Sequence, residues 1–240
     1  MIVKHDFYIG MRDIDGQNYI TDKGLLAAME DTGGIHSEIA GYGIIDLPKT
    51  HRFWMILSWH VEIIRRPKFN ETITIHTWSK PCRRLYVYRD FEVYDSEGKL
   101  IATAGSKWVF INTDNGSIVK ANDEMFSTYQ IEPDKASTDP SLLDKLKEPE
   151  KYSNVVSYTI NREMIDLNGH VHNLNYLDLA YKALPEEAYE KEFKKIDIMY
   201  KKEIKLDDTV KCFYSNEDGS HTVAIKSEDE TVLHAIIKFE

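Results

Sequence analysis

Apolar and polar positions change period several times along the chain, and the changes divide it. Residues 4–10 are a short strand candidate. Thr21-Asp22 then suits a helix N-cap, and Leu25, Met29, Thr32, His36 and Ile39 follow at helical spacing. Gly33-Gly34 in the middle either weakens this helix or lets something pack close to it. Gly41 and Gly43 mark its end. Beyond Pro48 the character is that of strands. Residues 53–64 are aromatic and β-branched, Pro67 breaks the run, and 72–78, 85–94 and 101–111 follow as a meander. Turns fall at Lys80-Pro81 and Ser96-Glu97-Gly98. From about 120 to 153 strand patterning is lost. Pro133, Pro140 and Pro149 lie in a charged stretch with one short helical piece, 140–146. The opening pattern then recurs, with a strand over 155–160, a helix over 173–184 and a strand over 195–203. A second meander covers 209–214, 222–226 and 232–239.

The recurrence holds at residue level. Lys68-Phe69-Asn70-Glu71-Thr72-Ile73 lines up with Lys205-Leu206-Asp207-Asp208-Thr209-Val210, an offset of 137. Asp15-Gly16-Gln17-Asn18-Tyr19 lines up with Asp166-Leu167-Asn168-Gly169-His170, an offset of 151. The chain is therefore expected to be a duplicated α+β unit, each copy one long helix with an antiparallel sheet. A helix wrapped by a curved antiparallel sheet is the hot-dog arrangement, so the fold expected is a tandem hot-dog. Residues 1–119 would form the first repeat, which shapes a pocket, 120–153 a linker, and 154–240 the second repeat, which carries the chemistry.

Composition narrows the function classes. With 240 residues, 42% hydrophobic and 29% charged, the chain can bury a sizeable core. A formal charge of −10 argues against general nucleic-acid binding, which rewards Lys and Arg. Two distant cysteines, Cys82 and Cys212, give neither a disulfide framework nor metal spacing. The N-terminal residues enter a strand pattern at once, with no signal-peptide or transit-type segment, and no apolar run reaches the roughly 20 residues of a membrane span. A cytoplasmic location is expected.

Reactive side chains concentrate in Asp166-Leu167-Asn168-Gly169-His170-Val171-His172-Asn173. If this segment is extended, Asp166, Asn168 and His170 project to one side. Asn supplies a donor and an acceptor, His exchanges a proton near neutral pH, and Asp can orient a neighbour. Asn173 can cap the next helix. The set suits water attacking a carbonyl, which needs a base and donors for the oxyanion. It equally suits turn and cap asparagines beside a structural histidine, and spacing alone does not separate the two. His170-Val171-His172 has chelating spacing, but no further ligands are evident, so no metal or cofactor is expected. Glu203 closes the long strand after the second helix, where it could reach His170 or be a solvated glutamate among lysines. Trp54, Trp59, Trp78 and Trp108 fill the core or wall an acyl tunnel. The basic runs Arg65-Arg66-Pro67-Lys68 and Lys80-Pro81-Cys82-Arg83-Arg84 are solvated turns or a dock for an acidic carrier.

Asp166-Leu167-Asn168-Gly169-His170-Val171-His172-Asn173 resembles the D-x-N-x-H-V-x-N signature of the acyl-acyl carrier protein thioesterases, in their bacterial form. Val61-Glu62-Ile63-Ile64-Arg65-Arg66-Pro67 and Thr77-Trp78 resemble that family's first-half strand and turn. The resemblance implies hydrolysis of a fatty acyl thioester on the phosphopantetheine arm of acyl carrier protein. It also implies functional roles for Asp166, Asn168, His170 and Glu203. Many relatives carry a cysteine directly after that glutamate; here the position is Ile204, which points to activated water instead of a cysteine nucleophile. The same site acting on acyl-CoA, or a non-catalytic acyl-binding protein, are the alternatives. A tandem repeat supplies the pairing that single hot-dogs obtain by dimerising, so a monomer of tandem repeats or a homodimer is expected.

Overall fold

Thr21 starts the first helix as its residue type predicts. In the computed structural model, which describes residues 1–144 and 146–240, its hydroxyl accepts the Gly24 amide at 3.0 Å. The helix, α1, runs Asp22–Ile39 and buries Leu25, Met29, Thr32 and His36. Ile39, expected on the same face, is 58% exposed where the chain leaves the helix towards Gly41, φ +78°. Gly33 does not interrupt α1. A Cβ there would reach the buried Arg89 side chain at 3.5 Å, an ordinary packing distance, so this face of the helix lies directly against it.

The remaining elements of this half are β1 (Val3–Tyr8), α2 (Leu47–Thr50), β2 (Arg52–Ile63), β3 (Thr72–Ser79), β4 (Val87–Tyr94), β5 (Leu100–Asn112) and β6 (Ile118–Val119). The strands pair antiparallel in the order β1-β3-β4-β5-β2, with β6 added to β5. Helix α1 packs on β3 and β1. The core between them holds Trp59, Trp78, Phe91, Ile73 and Ile75.

The charged stretch after β6 is more structured than its composition implies. Helix α3 (Asp123–Tyr129) is capped by Asn122, whose side chain accepts the Met125 amide at 3.0 Å. Its two buried residues, Met125 and Tyr129, are too few to show as periodicity. Tyr129 ties the helix down: its hydroxyl accepts the Trp54 indole N–H at 2.8 Å and its carbonyl lies 3.2 Å from His36 Nε2. A 3-10 turn at Pro140–Leu143 replaces the helical piece expected over 140–146, of which Lys145 lies outside the described residues. The Leu143 carbonyl accepts the Ser58 hydroxyl at 3.0 Å. The chain accordingly divides into Met1–Leu143 and Asp144–Glu240, within the span expected to be a linker.

The second unit holds β7 (Asn154–Thr159), α4 (Asn175–Ala183), α5 (Glu186–Tyr189), β8 (Lys195–Tyr200), β9 (Thr209–Glu217), β10 (Ser220–Ser227) and β11 (Leu233–Phe239). Its order is β7-β9-β10-β11-β8, the order of the first unit. Registers repeat too. Tyr8 pairs with Thr72 and Thr159 with Thr209, which reproduces both sequence offsets. At matching turns Asn70 and Asp207 have φ +70° and +67°. Helix α4 is half the length of α1, nine residues against 18, and stops before Pro185, which sets the bend into α5. No helix among the described residues is long and apolar enough to cross a membrane.

Candidate active site

The expected extended segment is a turn. Asp166 N–H donates to His170 O at 2.8 Å and Gly169 N–H to Asp166 O at 3.1 Å. Gly169 sits at φ +79°, a region where a side chain is strained. The Asp166 carboxylate folds back over the turn. Its Oδ1 accepts the amides of Asn168 (2.7 Å) and His170 (3.3 Å), and its Oδ2 accepts Asn168 Nδ2–H at 3.3 Å. Asp166, Asn168 and His170 are thus brought together by a carboxylate-capped turn instead of by strand alternation. Asn168 is exposed and His170 half-buried. The His170 ring has no hydrogen-bond partner among the described residues, which leaves both its nitrogens for a ligand or water.

Asn173 does not cap the following helix. Helix α4 begins at Asn175, with Leu174 at the cap position and no side-chain cap bond. Asn173 Oδ1 instead accepts the adjacent Leu174 amide at 2.7 Å. The segment before α4 advances by short turns, Asn175 N–H to His172 O (2.8 Å) and Leu177 N–H to Leu174 O (3.1 Å). Asn175 Nδ2 and the His172 amide both donate to Met164 O at 2.9 Å, which fixes the entry to the helix.

Glu203 lies beyond β8, which ends at Tyr200 instead of at residue 203. The link to the turn is nevertheless direct. Val171 N–H donates to Ile204 O at 2.9 Å and His170 pairs with Lys205. Glu203 is therefore two residues from the ladder partner of His170, a diagonal neighbour on the same face of an extended pair. The Glu203 carboxylate is exposed and makes no hydrogen bond or ion pair among the described residues. Tyr176, in the first turn of α4, lies beneath both segments. Burial raises its pKa, the Ile204 backbone opposes that shift, and the negative charges of Glu203 and Asp166 add to it. In the sequence Tyr176 is simply one residue of the helix expected over 173–184. Its only signal was the comparison of repeats, where it falls on Leu25. Ile204 is fully buried, and burial pushes the Cys212 thiol up to about 12.

The first repeat builds the same turn without the same groups. Asp15 Oδ1 accepts the amides of Gln17 (2.8 Å) and Tyr19 (3.0 Å), and Asn18 takes the glycine position at φ +67°. Ile20 N–H donates to Pro67 O at 3.0 Å, as Val171 does to Ile204. By this register Arg66 is the counterpart of Glu203 and Asp22 that of Asn173. Arg66 and Asp22 form a buried ion pair, and Arg66 Nη1 also donates to Ile20 O at 3.1 Å. The first copy has no imidazole there and fills the glutamate position with a paired guanidinium.

Half of the basic residues in the two runs are taken up by such pairing. Arg65 binds Glu71 (2.9 Å) and Asp95 (3.2 Å), and Lys80 faces Asp90 at 3.4 Å. Lys68 lies over the Tyr19 ring, 4.9 Å from its centre. Only Lys68, Arg83 and Arg84 of these runs stay out of ion pairs among the described residues. Of the tryptophans, Trp59 and Trp78 are core residues, and Trp78 Nε1 donates to Lys135 O at 3.0 Å.

Comparison with known proteins gives the family and the fold. Residues 1–129 match the acyl-ACP thioesterase N-terminal domain and residues 147–240 the acyl-ACP thioesterase C-terminal domain. The chain is 25% identical over 240 residues to a chloroplastic oleoyl-acyl carrier protein thioesterase of Coriandrum sativum, covering 93% of this chain and 65% of that protein. It is 27% identical over 191 residues to oleoyl-acyl carrier protein thioesterase 2 of Arabidopsis thaliana, covering 75% and 52%. The chain thus spans between half and two thirds of the length of these relatives. Among solved structures it resembles an acyl-ACP thioesterase from Bacteroides thetaiotaomicron, with TM-score 0.84, 22% identity and coverage of 99% and 96%. It also resembles the 12:0-ACP thioesterase from Umbellularia californica, with TM-score 0.86, 18% identity and coverage of 100% and 96%. At these identities the likeness shows the fold, and the expected tandem hot-dog is the one found.

Proposed function

Because this chain belongs to the acyl-ACP thioesterase family, we propose that it hydrolyses fatty acyl thioesters held on acyl carrier protein, releasing the free fatty acid. The observation that carries this reading is the joining of the Asp166–His170 turn to the Glu203 segment through Val171 N–H and Ile204 O, with the ring of His170 and the carboxylate of Glu203 left unengaged. In the first repeat the corresponding groups are Tyr19 and an ion-paired arginine.

The chemistry follows from the groups present. His170 takes a proton from water as the water oxygen attacks the thioester carbonyl carbon. Glu203, on the same face, orients that water and favours the imidazolium that forms. Negative charge moves to the carbonyl oxygen, where the exposed Asn168 amide and nearby backbone N–H groups donate to it. Collapse of the tetrahedral intermediate expels the pantetheine thiolate. A thiol pKa of roughly 8.5 makes it a good leaving group that needs little acid assistance. Asp166 keeps the turn folded and Asn168 in place through the bonds described above.

The test is hydrolysis of acyl-ACP and acyl-CoA substrates over a range of chain lengths, with His170→Ala, Asn168→Ala and Glu203→Ala measured alongside. Faster turnover of the carrier-protein substrate is expected, with losses on the order of 100-fold or more for His170→Ala and Asn168→Ala. Near-wild-type turnover by His170→Ala would sink the assignment.

A further inference from the structure

Three polar side chains of the second repeat stand where the first repeat has apolar ones. Tyr176 corresponds to Leu25 and Tyr200 to Ile63, by the offsets already established. His234 corresponds to Ile101, because Lys201 N–H donates to His234 O (2.8 Å) as Ile64 N–H does to Ile101 O (2.9 Å). Tyr176 and His234 are nearly inaccessible, at 4% and 6% exposure. Burying a hydroxyl or imidazole costs about 1–3 kcal/mol unless it is hydrogen-bonded. The first repeat folds the same way with Leu and Ile, so the fold does not require these groups.

Two of them, Tyr176 and His234, converge on the backbone that presents Glu203. The Tyr176 hydroxyl donates to Lys202 O at 3.4 Å, and His234 Nδ1 lies 3.1 Å from the same oxygen. A carbonyl only accepts, so Nδ1 carries the hydrogen. The Tyr200 hydroxyl donates to Asn173 O at 3.0 Å, and its ring meets Tyr176 edge-on with centres 5.3 Å apart. On the other side of Glu203, Ile204 O accepts the Val171 amide. The carbonyls before and after Glu203 are therefore both held, while its carboxylate remains unengaged among the described residues.

We propose that Tyr176 and His234 are positioning residues that aim Glu203 by clamping the Lys202 carbonyl. The proposal rests on the hydrolase reading above and adds to it how the glutamate is held. Tyr200 supports the clamp by packing against Tyr176 and by holding the Asn173 carbonyl.

The experiment is a double-mutant cycle on acyl-ACP hydrolysis. Tyr176→Phe, His234→Leu and His234→Asn are made alone and in a Glu203→Ala background, and each is checked for folding by urea unfolding. Tyr176→Phe and His234→Leu are expected to lower kcat about 10-fold or more with little change in KM. His234→Asn retains a donor near the Nδ1 position and is expected to recover most of that loss. In the Glu203→Ala background neither Tyr176→Phe nor His234→Leu should lower kcat further, because groups acting through one residue are non-additive. Losses that multiply with that of Glu203→Ala would overturn the proposal, as would wild-type kcat in both single variants. A Glu203→Ala variant as fast as wild type would also overturn it while leaving the hydrolase reading to the His170→Ala test.

Discussion

Asp22→Asn is the substitution for which the structure gives the clearest magnitude. Asp22 and Arg66 are both buried, and their ion pair occupies the place that Asn173 and Glu203 hold in the second repeat. Replacing the carboxylate by an amide removes the Asp22 charge from beside the buried Arg66 guanidinium. Breaking a buried pair in this way costs about 3–5 kcal/mol. For a chain of this size each kcal/mol moves the thermal midpoint by about 2–4 °C, so a fall of about 6–20 °C is expected. The assay is thermal and urea unfolding followed by circular dichroism, with specific activity measured well below the midpoint. Activity per folded molecule should be unchanged, because this position belongs to the repeat without the imidazole. Asp22→Leu/Arg66→Met removes both charges and should recover most of the loss, since well-packed apolar replacements of a buried pair are often neutral. A midpoint shift below about 2 °C for Asp22→Asn would refute the reasoning. So would a large loss of activity without loss of stability.

Three further outcomes follow from particular residues. Gly169→Val places a β-branched side chain at φ +79° and should destabilise the turn by about 1–3 kcal/mol and reduce hydrolysis, whereas Gly34→Ala, in open helical surroundings, should be neutral or stabilising; urea midpoints and kcat check both. Cys82→Ala/Cys212→Ala should hydrolyse at the wild-type rate under the same assay, because burial holds the Cys212 thiol up near 12 and so keeps it protonated at neutral pH. His36 is buried, then further opposed by Arg89, and its pKa falls from 6.5 to about 3. The unfolded chain therefore binds a proton below about pH 6.5 that the folded chain does not. Stability should decline by up to about 1.4 kcal/mol per pH unit from there until about pH 3, where the loss levels off. Urea unfolding from pH 7 to pH 4 should show a shallower decline in His36→Gln than in wild type.

The sequence by itself determined the duplication, the α+β class and the position of nearly every strand. Those features rest on local periodicity and on two constant offsets, 137 and 151, which survive in the strand registers. It also singled out Asp166, Asn168, His170 and Glu203 through the motif they resemble. What it could not determine was how side chains far apart in sequence would satisfy one another. Asp166 folds onto the amides of its own turn because a positive φ at Gly169 brings them within reach. Arg66 reads as part of a basic run until Asp22, 44 positions earlier, is found buried beside it. Tyr176 and His234 read as one helix residue and one strand residue, 58 positions apart, until both are found on the carbonyl of Lys202. A buried donor must find an acceptor, and only the packed structure decides which one.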